Sequence, residues 1–133
     1  GTGTGILAIA SAKLGASRVA AIDLNPLCVR TALRNVGLNG LEGKIRVYEG
    51  RAEDRIGEET DLVVANLHFG LIERLLRMGG FRSASGVIIS GLLRTQWREV
   101  GHALMMKGYR IEKEWDHEMT WFTILALRQG RTF

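Results

Sequence analysis

Gly1-Thr2-Gly3-Thr4-Gly5 runs directly into Ile6-Leu7-Ala8-Ile9-Ala10, and the reading of this junction decides the fold. Three alternating glycines ahead of an apolar run describe a tight loop that opens a helix. Glycine has no Cβ and enters positive φ freely, so backbone N–H groups there can approach a ligand closely. The first helical turn adds unpaired N–H donors and a partial positive charge. Such a junction suits the polar part of a nucleotide-like molecule, and it ordinarily follows a buried strand. None stands ahead of Gly1, so the reading expects the first strand to lie upstream of these 133 residues.

Working outward, apolar periodicity predicts a first helix from Gly5 to Leu14, with Ile6, Leu7, Ile9, Ala10 and Leu14 on one face and Gly15 as its stop. Arg18 to Asp23 is a short apolar run ending in an acid, as a buried parallel strand would be. Asn25 and Pro26 are N-cap and N1 signals for a second helix that stops at Asn39-Gly40. Strands are then expected over Lys44–Glu49, Asp61–Asn66 and Val87–Gly91, and helices over Phe69–Met78 and Thr95–Lys107. Residues 51–60 read as a polar loop with room for one helical turn. Tyr109–Trp115 and Thr120–Leu127 form a closing hairpin, with Trp97, Trp115 and Trp121 filling the space between it and the last helix. Alternating strands and helices give a doubly wound, Rossmann-like α/β fold. Its sheet is mostly parallel, with one antiparallel hairpin strand near an edge. The chain is expected to be a single domain over residues 1–133.

Composition narrows the function classes. Mean hydropathy lies close to zero, and no apolar run has the length of a membrane span. No secretion signal is visible, and the lone Cys28, placed on the apolar side of the second helix, rules out an internal disulfide. A cytoplasmic location fits that pattern. The net charge is +4, and fourteen of the eighteen basic residues are arginine. They are scattered rather than blocked, which argues against direct nucleic-acid binding. His68, His102 and His117 are too far apart in sequence to give metal-ligand spacing.

In doubly wound sheets, ligands gather at the carboxyl ends of the strands. Ile6 stands where the dinucleotide fingerprint G-x-G-x-x-G wants its third glycine, and no P-loop lysine follows. The loop is therefore better matched to a ligand without a pyrophosphate, with an NAD-dependent oxidoreductase as the outside option that Ile6 disfavours. Asp23 ends a strand eighteen residues after Gly5 and could accept both hydroxyls of a ribose. The alternative is a partner for the next helix, a place Asn25 already fills. Asn66 closes the clearest buried strand, where its amide could meet an amine N–H or simply cap the following helix. His68 could accept a proton near neutrality or serve structurally. Phe69 either walls a channel or packs under the sheet.

These marks together resemble a class I S-adenosylmethionine-dependent methyltransferase. Several segments are similar in particular to the bacterial PrmA type, which methylates a large-subunit ribosomal protein. They are Gly1–Ala10 with Lys13-Leu14-Gly15-Ala16, Asp23-Leu24-Asn25-Pro26, Asn35 to Gly40, Val63–Leu67, Ser90-Gly91-Leu92-Leu93 with Gln96, and Trp121. The resemblance implies that Gly1, Thr2, Gly3 and Gly5 hold the methionine part of S-adenosyl-L-methionine. It places Asp23 and Leu24 at the ribose and Ala52 at the adenine. Asn66 would stand at the methyl group or the incoming amine, and His68 beside it as a second catalytic candidate. Arg51 departs from the acid that relatives often carry there. The implied partner is a ribosomal protein, methylated on a lysine or N-terminal amine and recognised through a further domain upstream. An RNA or small-molecule methyltransferase of the same fold, or a donor-binding module without catalysis, are the alternatives.

Overall fold

The structure, a computed structural model, describes residues 1–130. The last three residues of the expected domain lie outside that range. The chain divides into two compact units, Gly1–Arg55 and Ile56–Phe133.

In the first unit the glycine loop leads into α1 (Ile6–Lys13), followed by β1 (Val19–Asp23), α2 (Pro26–Leu38) and β2 (Ile45–Glu49). A single 3-10 turn, Ala52–Asp54, occupies the polar loop, where one turn was expected. β1 and β2 pair in parallel, Val19 opposite Ile45 and Asp23 opposite Glu49. α2 starts as its sequence dictates, with the Asn25 side chain accepting from Leu27 N–H at 2.9 Å and Pro26 at N1. The core here is small: Ala8, Ala12, Ala21, Val36 and Ile45. α1 corrects one expectation. Its buried face is the alanine side, Ala8 and Ala12, while Ile6 and Leu14 are 68% and 88% exposed. Helical spacing could not decide between faces in a helix that is apolar nearly all round. Cys28 is half-buried.

The second unit holds β3 (Thr60–Asn66), α3 (Phe69–Arg77), β4 (Ala84–Leu92), α4 (Arg94–Met106), β5 (Tyr109–His117) and β6 (Trp121–Arg128). Its sheet runs in the order β3-β4-β6-β5. β3 and β4 are parallel, and β6 is antiparallel to both its neighbours. The hairpin therefore folds back so that its second strand enters the sheet and its first forms the edge. One antiparallel strand near an edge is what the sequence implied.

One apolar core serves this unit. Ile72, Leu75 and Leu76 of α3 and Val100 and Leu104 of α4 pack on the inward rows of β4 and β6, with Val87, Ile89, Phe122, Ile124 and Ala126 among them. Strand alternation explains a second correction. Trp97 stacks on Phe122 as expected, but Trp121 alternates with the buried row and is 50% exposed, and Trp115 is 43% exposed. Phe69 packs against the core.

Candidate functional site

In the first unit the residues singled out by sequence meet at the carboxyl end of β1. Asp23 is buried, yet both of its oxygens are engaged. Oδ2 accepts from Gly3 N–H at 2.8 Å and Oδ1 from Asn25 N–H at 2.9 Å. Burial alone would raise its pKa. The N–H groups of Asn25 and Gly3 act against it, and the carboxyl lies below its ordinary value. One acid thus fastens the glycine loop to the start of α2. A carboxylate offers about four lone-pair sites, and the protein uses one on each oxygen, which leaves acceptor capacity for two hydroxyls.

Backbone bonds fix the loop further. Thr2 N–H donates to Ile22 O at 2.8 Å and Gly5 N–H to Thr2 O at 2.9 Å. The Asn35 amide donates to Thr4 O at 2.8 Å, a support visible in the sequence only as part of a longer motif. Gly5 has φ 82°, and a Cβ there would lie 3.3 Å from the Ala32 Cβ, so a side chain would force the loop away from α2. The space a Cβ would enter at Gly3 is open. No side chain caps α1, and Ile9 N–H is the first to reach back, to Gly5 O. The N–H groups of Ile6, Leu7 and Ala8 therefore lack intrahelical acceptors. Gly3 itself is different from expectation: its N–H serves Asp23 instead of pointing free. Gly50 N–H donates to Asp23 O at 2.9 Å, which brings the segment before Ala52 beside the same acid. Ala52 is half-buried and Leu24 is 66% exposed. Arg51 is paired with Glu53 at 3.2 Å.

The second unit carries Asn66 and His68. His68 is the N-cap of α3, its Nδ1 accepting from Leu71 N–H at 3.3 Å. In a neutral ring with Nδ1 engaged as acceptor, the proton sits on Nε2. The outward nitrogen is then a donor. The cap being taken, the Asn66 amide is not needed for it, and among the described residues it makes no hydrogen bond within the protein. Asn66 is exposed at the end of β3, opposite Ser90.

Sequence reasoning missed the role of Gly91. It has φ 77°, and a Cβ built on it would lie 2.5 Å from the Asn66 Oδ1. The β4–β6 register shifts between Ile89 and Leu92, which is where this residue lies. Bulges of this kind re-aim neighbouring groups, and Ser90 Oγ is held by Thr123 Oγ1 at 3.0 Å across the same irregularity. The bare α-carbon of Gly91 leaves room for the Asn66 amide where it stands. Among the described residues no cluster of His, Cys, Asp and Glu could hold a metal, and no helix is long and apolar enough to cross a membrane.

Comparison with known proteins shows which family the chain resembles. Residues 1–129 match the family described as "Ribosomal protein L11 methyltransferase (PrmA)". The chain is 37% identical to the ribosomal protein L11 methyltransferase of Desulforamulus reducens, over 98% of this chain and 42% of that protein. It is 39% identical to the one from Anoxybacillus flavithermus, over 97% and 42%. The chain thus spans about two fifths of the length of these relatives. Among solved structures, a ribosomal protein L11 methylase from Lactobacillus delbrueckii subsp. bulgaricus superimposes with a TM-score of 0.84 at 28% identity, covering 98% of this chain and 68% of that one. M. capricolum TrmK, in complex with S-adenosyl-homocysteine, shares the fold with a TM-score of 0.78 at 19% identity, over 98% and 60%.

Two outcomes follow from the geometry. Because the Asp23 pKa is lowered on folding, its contribution to stability is present above the ordinary carboxylate value and lost as pH falls through the folded value. Urea unfolding should therefore show stability dropping below about pH 4, and Asp23→Asn should flatten that drop. Gly91→Ala should displace the Asn66 amide. Its strained φ should also cost about 1 kcal/mol or more in the same unfolding experiment.

Proposed function

The chain belongs to the ribosomal protein L11 methyltransferase family, and on that premise we propose that it serves the transfer of a methyl group from S-adenosyl-L-methionine to an amine of ribosomal protein L11. The accepting amine is a lysine or the N-terminus, and residues 1–133 form one catalytic domain of the enzyme.

The fit of the donor rests on groups already described. Asp23 has lone pairs to spare for the ribose hydroxyls, next to Leu24. The glycine loop presents open space before Gly3 and unpaired N–H groups at the start of α1, suited to the carboxylate of the methionine part. Gly1, Thr2, Gly3 and Gly5 would hold that part, and Ala52 would border the adenine. The donor supplies a methyl group already activated on a sulfonium.

What remains for the protein is placement, and orientation of this kind contributes roughly 7–11 kcal/mol. The single observation that carries the acceptor assignment is the unengaged amide of Asn66, held at the end of β3 by the space Gly91 leaves. Its Oδ1 accepts from the amine N–H and so orients the nitrogen lone pair. A lysine, with an ordinary pKa of about 10.4, must shed a proton to solvent before it can attack. His68, with its Nδ1 committed to the helix cap, assists by orienting the site rather than by taking that proton.

Incubation of the full-length protein with ribosomal protein L11 and S-adenosylmethionine should add 14-dalton increments (the mass of one CH2, about 14) to L11, read by mass spectrometry. Asn66→Ala should lower the rate by about a hundredfold while donor binding persists. An unmodified L11 would refute the acceptor assignment, and an Asn66→Ala variant with full turnover would refute the role given to the amide.

A further inference from the structure

Between α4 and the β5–β6 hairpin lies a concavity of about 270 Å³ for which the proposed transfer has no use. Its lining includes Arg94, Trp97, Arg98, Glu114, Asp116 and Phe122. Trp97 lies nearly flat on Phe122, ring centroids 4.8 Å apart, and makes an apolar floor. The acids already carry donors from the protein. Glu114 Oε1 accepts from Trp97 Nε1–H at 2.7 Å and Asp116 Oδ2 from Met119 N–H at 3.0 Å.

The arginines are in the opposite state. Arg94 lies over the Phe122 ring at 5.8 Å and Arg98 over the Trp97 ring at 6.0 Å. Among the described residues neither forms an ion pair. A guanidinium resting against a ring keeps its N–H groups available. Two guanidiniums without an ion pair can donate to an anion, and a planar carboxylate matches the guanidinium fork.

Position ties the concavity to the transfer site within this unit. Asn66 is opposite Ser90, Leu92 is opposite Phe122, and Phe122 is opposite Asp116. Asn66 and Phe122 thus stand at the same end of the sheet, two strand spacings apart, on the order of 10 Å. An extended polypeptide covers that span in about three residues.

We propose that this concavity is a docking subsite for the acceptor polypeptide. It seats an Asp or Glu side chain on Arg94 and Arg98, about three residues from the amine that is methylated. The inference rests on the protein-methylation reading above. With Glu114 and Asp116 beside Arg94 and Arg98, the lining has no net positive charge to hold a continuous polyanion such as RNA, whereas a single side-chain carboxylate needs only one guanidinium fork.

The test compares full-length wild type with the double variant Arg94→Gln/Arg98→Gln and with Arg98→Lys, using ribosomal protein L11 as substrate. The double variant should raise KM for L11 about tenfold or more, with kcat, affinity for S-adenosylhomocysteine and Tm unchanged. Arg98→Lys should fall between, since lysine keeps the charge but loses the fork. An unchanged KM, with wild type active on L11, would overturn the subsite and leave the function standing. A wild type inactive on L11 would overturn the function and the subsite with it. If the double variant instead loses affinity for a ribosomal RNA fragment while KM for L11 holds, the concavity is an RNA contact and the proposal is wrong.

Discussion

The Asp23 carboxylate takes a backbone N–H on each oxygen, from Gly3 at 2.8 Å and from Asn25 at 2.9 Å. A glycine loop has little of its own to hold it in one conformation, because its backbone freedom is an entropic cost to ordering. Here the acid at the end of β1 supplies the constraint, and Asn35 adds a second tie through Thr4 O. The same acid anchors the turn into α2 and accepts nothing from side chains of its own unit. A group that orders the loop with one lone pair per oxygen leaves its remaining lone pairs open to a ligand.

The second unit solves a related problem by omission. An amide at a strand end is readily consumed as the cap of the next helix. His68 takes that position instead, and Gly91 keeps the volume beside Asn66 empty of a side chain. The outcome is a polar group that is placed but not spent. The residues around it show why each departs from the local rule: a glycine inside a strand, a register shift beside it, and a histidine capping where an asparagine was at hand.

Much of this was legible in the chain. Alternating apolar runs and caps such as Asn25-Pro26 announced the α/β order, and the tandem strands at the end announced the antiparallel entry of β6. Asp23 and Asn66 were marked by being polar at the ends of buried strands. What stayed hidden depended on which face of an element meets its neighbours. α1 is apolar nearly all round, so periodicity could not tell that Ala8 and Ala12 would be inward and Ile6 outward. Trp121 looked like core by composition, yet alternation with Phe122 turns it out. Gly91 read as punctuation within a motif, because its purpose is a distance to a residue twenty-five positions earlier. The pairing of Trp97 with Glu114 and the unpaired state of Arg94 and Arg98 are tertiary facts of the same kind.

The central claim is that the loop and Asp23 hold a methyl donor and not a dinucleotide. Calorimetric titration of the full-length protein with S-adenosylhomocysteine, and separately with NAD, tests it most directly. Saturable heat at one equivalent of S-adenosylhomocysteine and none with NAD is the result this account predicts. Binding of NAD in place of S-adenosylhomocysteine would contradict it.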